Sequence, residues 1–383
     1  MANELRLGII GAGGMGYLHA DYLMKGKVKR CNLVAMCDAQ ESRLAPFSDL
    51  KTFTDSRKLI RSGLIDAVLI ATPHYFHTTT GIDALGQGLH VLVEKPLSVH
   101  KADCERLIAA HSREGQVFAT MLNYRTFPRF RRIKRIVEDG ELGEITRFSW
   151  TITDWFRTEV YYSSGAWRGT WKGEGGGVLM NQCPHQLDLL QWILGMPTSV
   201  RAFCKFGAKH NIEVDDEVTA YFEFPNGAAG VFVTSTGEAP GTNRLEICGD
   251  LGRLILESGR LAVTRNEQSA REFSKTDTVG FATPPTKTVE TPVEAETGNH
   301  VEITQNFVDA ILDGVPLIAP AEEGVHAVEL ANAMLYSTLR DRTIHLPLDS
   351  AAFERALKRL IRTSRFQKSS EERVLDMSAS LKR

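Results

Sequence analysis

A lysine and a histidine lie at positions of the sequence that could carry proton chemistry. Lys95, in the run Glu94-Lys95-Pro96, follows an apolar segment that ends at Val93. An ammonium at the end of a buried strand can hold a substrate hydroxyl and favour its deprotonated form. His185 stands near the start of a predicted helix, where an imidazole can act as a general base. A solvent-facing lysine and a buried structural histidine are the alternatives.

The histidine belongs to a longer segment that opens on three glycines, Gly175–Gly177. Such a backbone is typical where a ligand or another strand approaches closely. Asn181 can cap the following helix, and Asp188 falls on the same helical face as His185. These residues have no clear third ligand, although Cys183 is close, so we predict no metal site.

Aromatic and basic residues precede this segment, from Trp155-Phe156-Arg157 through Tyr161-Tyr162 to Trp167-Arg168. Aromatic faces stack on sugar C–H groups, and guanidiniums donate to hydroxyls or carboxylates. We expect the substrate contacts to be Arg125, Trp155, Arg168 and Asp188. Core or interface packing is the alternative for the aromatic residues.

The elements that must position these groups begin with a glycine-rich turn. An apolar run, Leu5–Ile10, predicts a buried strand, and a helix is predicted over Met15–Met24. Between them stand Gly11, Gly13 and Gly16 at the G-x-G-x-x-G spacing, which suits a pyrophosphate at a helix N-terminus. We expect Gly14 and Met15 to contact the same dinucleotide.

A second predicted strand, Leu33–Cys37, ends at Asp38, the distance at which a carboxylate binds the adenosine ribose. Asp38 favours NAD because a carboxylate repels a 2′-phosphate, while nearby Arg43 keeps NADP possible. A turn or a helix cap is the structural alternative for Asp38.

Further cofactor contacts are expected at the ends of later strands. Thr72 and Pro73 end the predicted strand Ala67–Ala71, and His77 follows them. His77 could equally pack at a helix start. Glu94 could bind ribose or orient Lys95, and Lys95 itself is expected to contact the cofactor.

Composition limits the class of protein. The 383 residues are 43% hydrophobic and 24% charged, with a net charge of −2, which is ordinary for a globular protein of two domains. Neither nucleic acid nor a membrane surface is expected as a partner. We expect a cytoplasmic protein without a signal peptide, with its six scattered cysteines reduced.

Strands and helices alternate up to about Tyr124, which predicts a parallel, doubly wound α/β domain over residues 1–124. Residues 125–383 contain long alternating runs, such as Ile145–Ile152 and Ser199–Phe206. They predict an α+β domain on a large, mostly antiparallel open sheet. Gly280–Glu296 is expected to be a loop or irregular edge, and residues 351–383 a helical tail with a polar end.

Taken together, these residues resemble the Gfo/Idh/MocA family of NAD(P)-dependent oxidoreductases. The resemblance is carried by the glycine turn, Ala71-Thr72-Pro73, Glu94-Lys95-Pro96 and the element ending in His185 and Asp188. It implies an N-terminal Rossmann domain, a sugar, inositol or related polyol as substrate, and a homodimer or homotetramer formed through the C-terminal sheet. Lys95 and His185 match the catalytic lysine and histidine of the family.

Asn181 departs from the aspartate that many members carry. An asparagine cannot accept a proton, so we expect His185 alone to be the base and Asn181 to orient it or the substrate. The expected reaction moves a hydride between a secondary alcohol and nicotinamide. Two alternatives stay open: a redox-neutral NAD-dependent glycosidase on the same scaffold, and a non-enzymatic NAD sensor.

Overall fold

Two β-sheets organise the chain in the computed structural model, which describes residues 4–292 and 299–368. The first part of the chain forms β1 (Leu5–Ile10), α1 (Gly14–Met24), β2 (Cys31–Cys37), β3 (Lys51–Phe53), α2 (Ser56–Ile60), β4 (Ala67–Ile70), α3 (Tyr75–Gly86), β5 (His90–Val93), α4 (Lys101–Ala109) and β6 (Phe118–Thr120). Short 3₁₀ helices span Glu41–Phe47 and Asn123–Thr126.

The first sheet is parallel, with strand order β3-β2-β1-β4-β5-β6. Its central strands are almost wholly apolar because helices cover both faces. The order reverses between β1 and β4, and ligands of such folds bind at the carboxyl ends of the strands there. The predicted doubly wound fold is confirmed. The sequence did not reveal β3, since its three residues, largely exposed, show no apolar run.

The rest of the chain forms α5 (Pro128–Glu138), β7 (Ile145–Ile152), α6 (Glu159–Ser163), α7 (Val178–Asn181), α8 (Pro184–Leu194), β8 (Ser199–Phe206), β9 (Asp215–Glu223), β10 (Ala229–Ser235), β11 (Asn243–Gly249), β12 (Gly252–Glu257), β13 (Arg260–Asn266), α9 (Ala270–Thr276), β14 (Thr286–Pro292), α10 (His300–Asp313), α11 (Gly324–Arg340), β15 (Ile344–His345) and α12 (Ser350–Thr363). A 3₁₀ turn, Ala321–Glu323, precedes α11.

The second sheet has the order β14-β13-β12-β11-β7-β10-β9-β8-β15. Its described pairs are antiparallel apart from β7 with β10, so the predicted sheet is confirmed. Part of the predicted loop Gly280–Glu296 is the exposed edge strand β14, and residues 293–296 lie outside the described residues. The predicted polar end of the tail also lies outside them, beyond residue 368.

The C-terminal helices return to the first sheet. Ile303, Phe307 and Val308 of α10 are buried in the same apolar core as β1, and α12 packs against α4. This packing joins the two halves of the chain behind the carboxyl edge of the first sheet. The boundary at residue 124 stays a prediction.

The glycines before α7 serve packing. A Cβ on Gly175 would lie 2.0 Å from a Val99 methyl, and one on Gly177 would lie 1.9 Å from the carbonyl of Asp215. The carboxylate of Asp215 accepts hydrogen bonds from the backbone of Gly177 and Leu179, so it satisfies the start of α7. The packing of Gly175 on Val99 and of Gly177 on β9 therefore explains this backbone.

The predicted cap of α8 is wrong. Asn181 ends α7, and Cys183 occupies the position before Pro184, the first residue of α8. Proline at that position removes a backbone N–H that has no helical partner, so the helix can begin there without a side-chain cap.

Candidate active site

A cavity of about 690 Å³ lies where the carboxyl ends of the first sheet meet α7, α8 and the segment 155–168. Most of the predicted site residues contribute to its lining. They are Gly11, Gly13, Gly14, Met15, Asp38, Thr72, Pro73, Glu94, Lys95, Trp155, Arg168, Asn181 and His185.

Gly11 and Gly16 of the glycine turn allow close packing, whereas Gly13 faces open space. Gly11 has a positive φ of 103°, and a Cβ there would lie 2.5 Å from the carbonyl of Ala71. A Cβ on Gly16 would lie 1.7 Å from the carbonyl of Gly11, so this glycine lets α1 pack on β1 and does not line the cavity. An added Cβ on Gly13 meets no protein atom within 4 Å.

Gly13 lines the cavity at the N-terminus of α1, where no side chain caps the helix. The first backbone N–H groups of a helix and its positive dipole end attract an anion. The cavity wall here fits the pyrophosphate of a dinucleotide, and Gly13 is the position at which a side chain would obstruct it.

Asp38 is held by backbone groups at the end of β2. Its Oδ2 accepts from the backbone N–H of Ala12 at 2.8 Å and its Oδ1 from that of Gln40 at 2.9 Å. Each oxygen keeps a further lone pair for a ligand hydroxyl. Arg43 Nη1 lies 3.9 Å from Oδ2, so a cation is also present where a 2′-phosphate would bind.

Four buried polar atoms of residues that line the cavity have no hydrogen-bond partner within the described parts of the chain: Thr72 Oγ1, Asn123 Oδ1, Trp155 Nε1 and His185 Nδ1. Buried polar groups are normally satisfied, so these atoms fit contacts to a bound ligand. His77, which we expected to bind the cofactor, lies behind the wall instead. Its two ring nitrogens are each 2.9 Å from a backbone carbonyl, those of Pro96 and Thr72, and it supports the loops that carry them.

Lys95 projects from the end of β5 towards α7. Its Nζ donates to the backbone carbonyl of Asn181 at 3.0 Å, which joins the two halves of the site. Burial lowers the pKa of the Lys95 ammonium, and the negative charge of Glu94 opposes this effect. The ammonium of Lys95 is therefore more acidic, and so a better proton donor, than the ammonium of an exposed lysine.

Glu94 is a buried carboxylate with a fixed partner. Its Oε1 lies 2.7 Å from Nε2 of His19, whose other nitrogen contacts the hydroxyl of Tyr22 at 2.7 Å. Burial raises the pKa of Glu94, but His19 and further positive charge outweigh burial and lower it to about 2. Tyr22 in turn contacts Thr304, so the chain of contacts reaches α10. Glu94 is held rigidly beside Lys95.

His185 stacks on Tyr124, with ring centroids 4.4 Å apart and ring planes 7° apart. Its Nδ1 is buried and has no partner among the described residues. Burial lowers the pKa of His185 well below its ordinary value, and the charge of Lys95 lowers it further. The ring is neutral at physiological pH, which is the form that a general base requires.

Asn181 is oriented by a second buried carboxyl group, Glu174. The amide nitrogen of Asn181 donates to Glu174 Oε1, and the backbone N–H of Gly169 donates to Oε2 at 2.7 Å. Burial raises the pKa of Glu174, and Arg168 opposes this shift. With its amide nitrogen bound to Glu174, Asn181 can turn its oxygen to another donor.

Arg125 and Asp188 do not line the cavity, which corrects our expectation that they contact substrate. Arg125 Nε and Nη2 donate to the two carboxylate oxygens of Asp188 at 2.8 and 2.6 Å, and both side chains are buried. Nη1 of Arg125 donates to Glu323. This ion pair braces α8 beneath His185.

Several lining residues escaped the sequence analysis as site residues, among them His74, Tyr124, Gln182 and His300. Tyr124 could have been found, because it follows β6 at the same edge of the sheet as Lys95. His300 could not, since it comes from α10, more than a hundred residues after α8. The sequence did not reveal Glu174 as a site residue, because its contact with Asn181 depends on how the chain turns between the two residues.

This combination defines a NAD-dependent oxidoreductase: a Rossmann sheet with an open glycine turn, and an ammonium and a neutral imidazole in the same cavity. Residues 5–122 match the family model "Oxidoreductase family, NAD-binding Rossmann fold", and residues 130–255 match the "GFO/IDH/MocA C-terminal domain". The chain belongs to the GFO/IDH/MocA oxidoreductase family.

Several relatives match this chain over almost its whole length. A myo-inositol 2-dehydrogenase of Thermotoga maritima is 25% identical over 89% of this chain and 98% of its own. A levoglucosan dehydrogenase of Pseudarthrobacter phenanthrenivorans is 25% identical over 91% and 100%. The WlbA dehydrogenase of Chromobacterium violaceum, solved with NADH and UDP-GlcNAcA, has the same fold, with a TM-score of 0.78, 24% identity and coverage of 91% and 97%.

Neither a membrane-spanning helix nor a metal-binding cluster occurs among the described residues. No helix within residues 4–292 and 299–368 has the length and apolar character needed to cross a membrane. In the same ranges, no three His, Cys, Asp or Glu side chains are grouped as ligands for a metal ion.

Proposed function

We propose that this enzyme transfers a hydride between NAD and a secondary alcohol of a sugar, inositol or glycoside. The observation that carries the proposal is the hydrogen bond from Lys95 Nζ to the carbonyl of Asn181, which brings an ammonium into the cavity of the neutral His185. Two relatives that match almost the whole chain are named as an inositol dehydrogenase and a levoglucosan dehydrogenase. These names support the same substrate class.

In the proposed oxidation, a substrate hydroxyl lies between Lys95 and His185. His185 removes the hydroxyl proton, and Lys95 stabilises the developing alkoxide by its charge. The bound nicotinamide supplies the hydride chemistry. In the direction of reduction, His185 returns the proton to the substrate oxygen. Glu94 and Asn181 keep Lys95 in position throughout.

The aromatic side chains of the 155–168 segment support a sugar-like substrate. Trp155, Tyr161 and Trp167 line the cavity and are braced by guanidiniums: Arg157 Cζ lies 5.3 Å from the Trp155 ring centroid, and Arg168 Cζ lies 4.4 Å from that of Trp167. Flat apolar faces next to hydrogen-bond donors match the C–H faces and hydroxyls of a polyol.

Replacement of His185 by Ala tests the proposal directly. We expect turnover to fall by at least about 10³-fold, because the substrate proton then has no acceptor at that position. NADH binding, followed by nucleotide fluorescence, should change less than about twofold because the glycine turn is untouched. Unchanged turnover in H185A would refute the assignment of the base.

A screen of polyols and glycosides distinguishes this function from the two alternatives. We expect NADH to form in step with substrate oxidation. Release of an aglycone without net NADH would identify a redox-neutral glycosidase. Tight NAD binding without conversion of any substrate would favour a sensor, which needs neither Lys95 nor His185.

We propose that the outer face of the second sheet joins two copies of the chain. Phe203, Tyr221 and Val231 are 60%, 44% and 39% exposed on neighbouring strands, and Tyr221 pairs with Val231 in the register. An apolar patch on an open sheet is typical of an interface. Light scattering should give a dimer or tetramer, and F203E/Y221E should dissociate it; a monomeric wild-type protein contradicts this proposal.

We also propose a cytoplasmic location. All six cysteines are free thiols, and five of them are buried, which fits a reducing compartment. Fractionation of the source cells with a tagged chain tests this location, and recovery outside the cytoplasm would contradict it.

A further inference from the structure

Charge is distributed unevenly along the cavity. The carboxylates in its described lining are Asp38, Asp55 and Glu94, and its guanidinium and ammonium groups are Arg43, Lys95, Arg157 and Arg168. Asp38, Asp55 and Arg43 follow β2 and β3, at the end assigned to the adenosine ribose. On the side of Lys95 and His185, Glu94 is the one carboxylate of the described lining, and it is bound to His19.

Arg168 presents a positive charge to this side of the cavity. Its Nη1 donates to the hydroxyl of Tyr161 at 2.8 Å, and its Cζ lies 4.5 Å from the centroid of the Tyr161 ring. No carboxylate within residues 4–292 or 299–368 comes within 4.0 Å of its guanidinium nitrogens. Neutral groups hold the side chain in place, and the buried carboxyl group of Glu174 acts on its charge without forming an ion pair with it.

Other cations surround Arg168. Cζ of Arg157 lies 5.1 Å from the centroid of the same Tyr161 ring. Burial lowers the pKa of Lys95 most, both arginines lower it further and Glu94 and Glu174 raise it, so these charged groups are close enough to influence one another. Behind the segment, Lys368 Nζ donates to the carbonyl of Gly165 at 2.7 Å and to that of Arg168.

The nearest buried carboxyl group, Glu174, is committed elsewhere. Its two oxygens accept hydrogen bonds from Asn181 and Gly169, and it does not line the cavity. It therefore orients the segment from behind but does not meet a ligand. Cations that lie this close together repel one another, and a bound anion offsets that cost.

The cofactor does not account for these charges. Its pyrophosphate has a site at the N-terminus of α1, on the other half of the cavity, and an oxidised nicotinamide is itself positively charged. A negatively charged substrate could instead pair with Arg168, which has no ion pair of its own within the described residues. The guanidinium of Arg168 uses one nitrogen for Tyr161, which leaves others for the two oxygens of a carboxylate.

We infer that the substrate is a sugar acid, whose carboxylate pairs with Arg168 while its secondary hydroxyl lies between Lys95 and His185. This inference rests on the proposed dehydrogenase function and narrows its substrate class. Tyr161 and Trp167 fix the plane of the Arg168 guanidinium.

The experiment compares sugar acids with neutral sugars of the same configuration. D-glucuronate is paired with D-glucuronamide and D-glucose, and D-galacturonate with D-galactose, and NADH formation is followed. We expect kcat/KM to be at least about tenfold higher for an acid than for its neutral match. In R168Q, the loss in kcat/KM should be about 10- to 100-fold larger for the acid than for its neutral match, as expected for a charge-assisted hydrogen bond.

Lys172→Gln is the matched control, because Lys172 is an exposed cation of the same segment and does not line the cavity. It should leave the acid-to-neutral ratio unchanged. R168K, which keeps the charge but not the planar fork, should recover only part of the loss. Raising the salt concentration should raise KM for the acid and not for the neutral sugar.

The possible outcomes distinguish failure of the sugar-acid inference from failure of the dehydrogenase proposal. Preference of the wild-type enzyme for neutral sugars, or an equal loss on both substrates in R168Q, overturns the sugar-acid inference and leaves the dehydrogenase proposal intact. Failure of every acid and neutral sugar, with NADH binding retained, overturns the dehydrogenase proposal and the inference that depends on it. Melting temperature and NADH affinity of R168Q show whether the variant is folded.

Discussion

His185 occupies an environment that keeps its ring neutral without a strong hydrogen bond to hold it. Stacking on Tyr124 fixes the ring plane, and burial together with the charge of Lys95 lowers its pKa. The lysine therefore has two effects in the proposed reaction. It stabilises the alkoxide directly, and it keeps the base deprotonated at lower pH.

Removal of the lysine charge should separate these effects. In K95M the pKa of His185 rises, because a positive charge that disfavoured the imidazolium is lost. The acid limb of the pH profile for alcohol oxidation should therefore move to higher pH, and the rate at its plateau should fall by about 10² or more. Single-turnover NADH formation between about pH 5 and pH 9 measures both quantities.

Lys172→Met serves as the control for a lost surface cation and should leave the profile unchanged. An acid limb that stays at the wild-type pH in K95M would show that Lys95 does not influence the base. The assignment of Lys95 would then rest on alkoxide stabilisation alone.

At position 181, an asparagine suits the neighbouring carboxyl group of Glu174 better than an aspartate would. An aspartate at this position would put a second carboxyl group against Glu174, and two buried carboxylates at hydrogen-bond distance cannot both be charged. Asparagine removes that conflict, since its amide donates to Glu174. We therefore interpret Asn181 and Glu174 as one unit that orients the site.

Among the elements, the glycine turn gives a matched pair of substitutions. In G16A the new Cβ would overlap the carbonyl of Gly11, so α1 must move away from β1. We expect a loss of about 1–3 kcal/mol of unfolding free energy, as for other overpacked positions, and weaker NADH binding. Chemical denaturation and fluorescence titration measure the two effects.

G13A should show the opposite pattern. Its Cβ meets no protein atom, so stability should change by less than about 1 kcal/mol. NADH affinity should fall about tenfold or more, because the methyl group enters the space assigned to the pyrophosphate. Unchanged affinity in G13A would mean that the dinucleotide does not cross this turn.

Much of the element structure could be predicted because its signals are local. The apolar run of β1, the glycine spacing and the alternation in Ile145–Ile152 depend on near neighbours in sequence, and all three are confirmed. The exposed strands β3 and β14 carry no apolar pattern, so they could not be predicted. Their pairing is supplied by the strands beside them.

The site was predictable only where a residue follows a strand or a marked motif. Lys95 and Asp38 were predicted from such positions, and they line the cavity. Arg125 and Asp188 were misplaced because sequence spacing does not reveal that two opposite charges have each other as partners. Their pairing depends on how α8 packs against the segment that leaves the first sheet.

For the molecule as a whole, Arg125 connects three parts of the chain. It lies in the 3₁₀ helix after β6, pairs with Asp188 on α8, and reaches Glu323 before α11. Burial opposes its charge, but the two carboxylates outweigh burial and raise the pKa of the guanidinium. These ion pairs of Arg125 hold α8, the helix of His185, against the first sheet. The alignment of the two halves of the site therefore depends on them.

Replacement of Arg125 by Met should destabilise the protein without affecting substrate recognition. Asp188 would stay buried without its partner, which typically costs about 3–5 kcal/mol, whereas R125M/D188L should recover most of the loss because no buried charge remains. Urea unfolding measures the stabilities. KM should stay within about twofold in the double variant, because neither side chain lines the cavity. A large rise in KM at near-normal stability would instead mean that Arg125 and Asp188 bind the substrate, as their sequence positions first indicated.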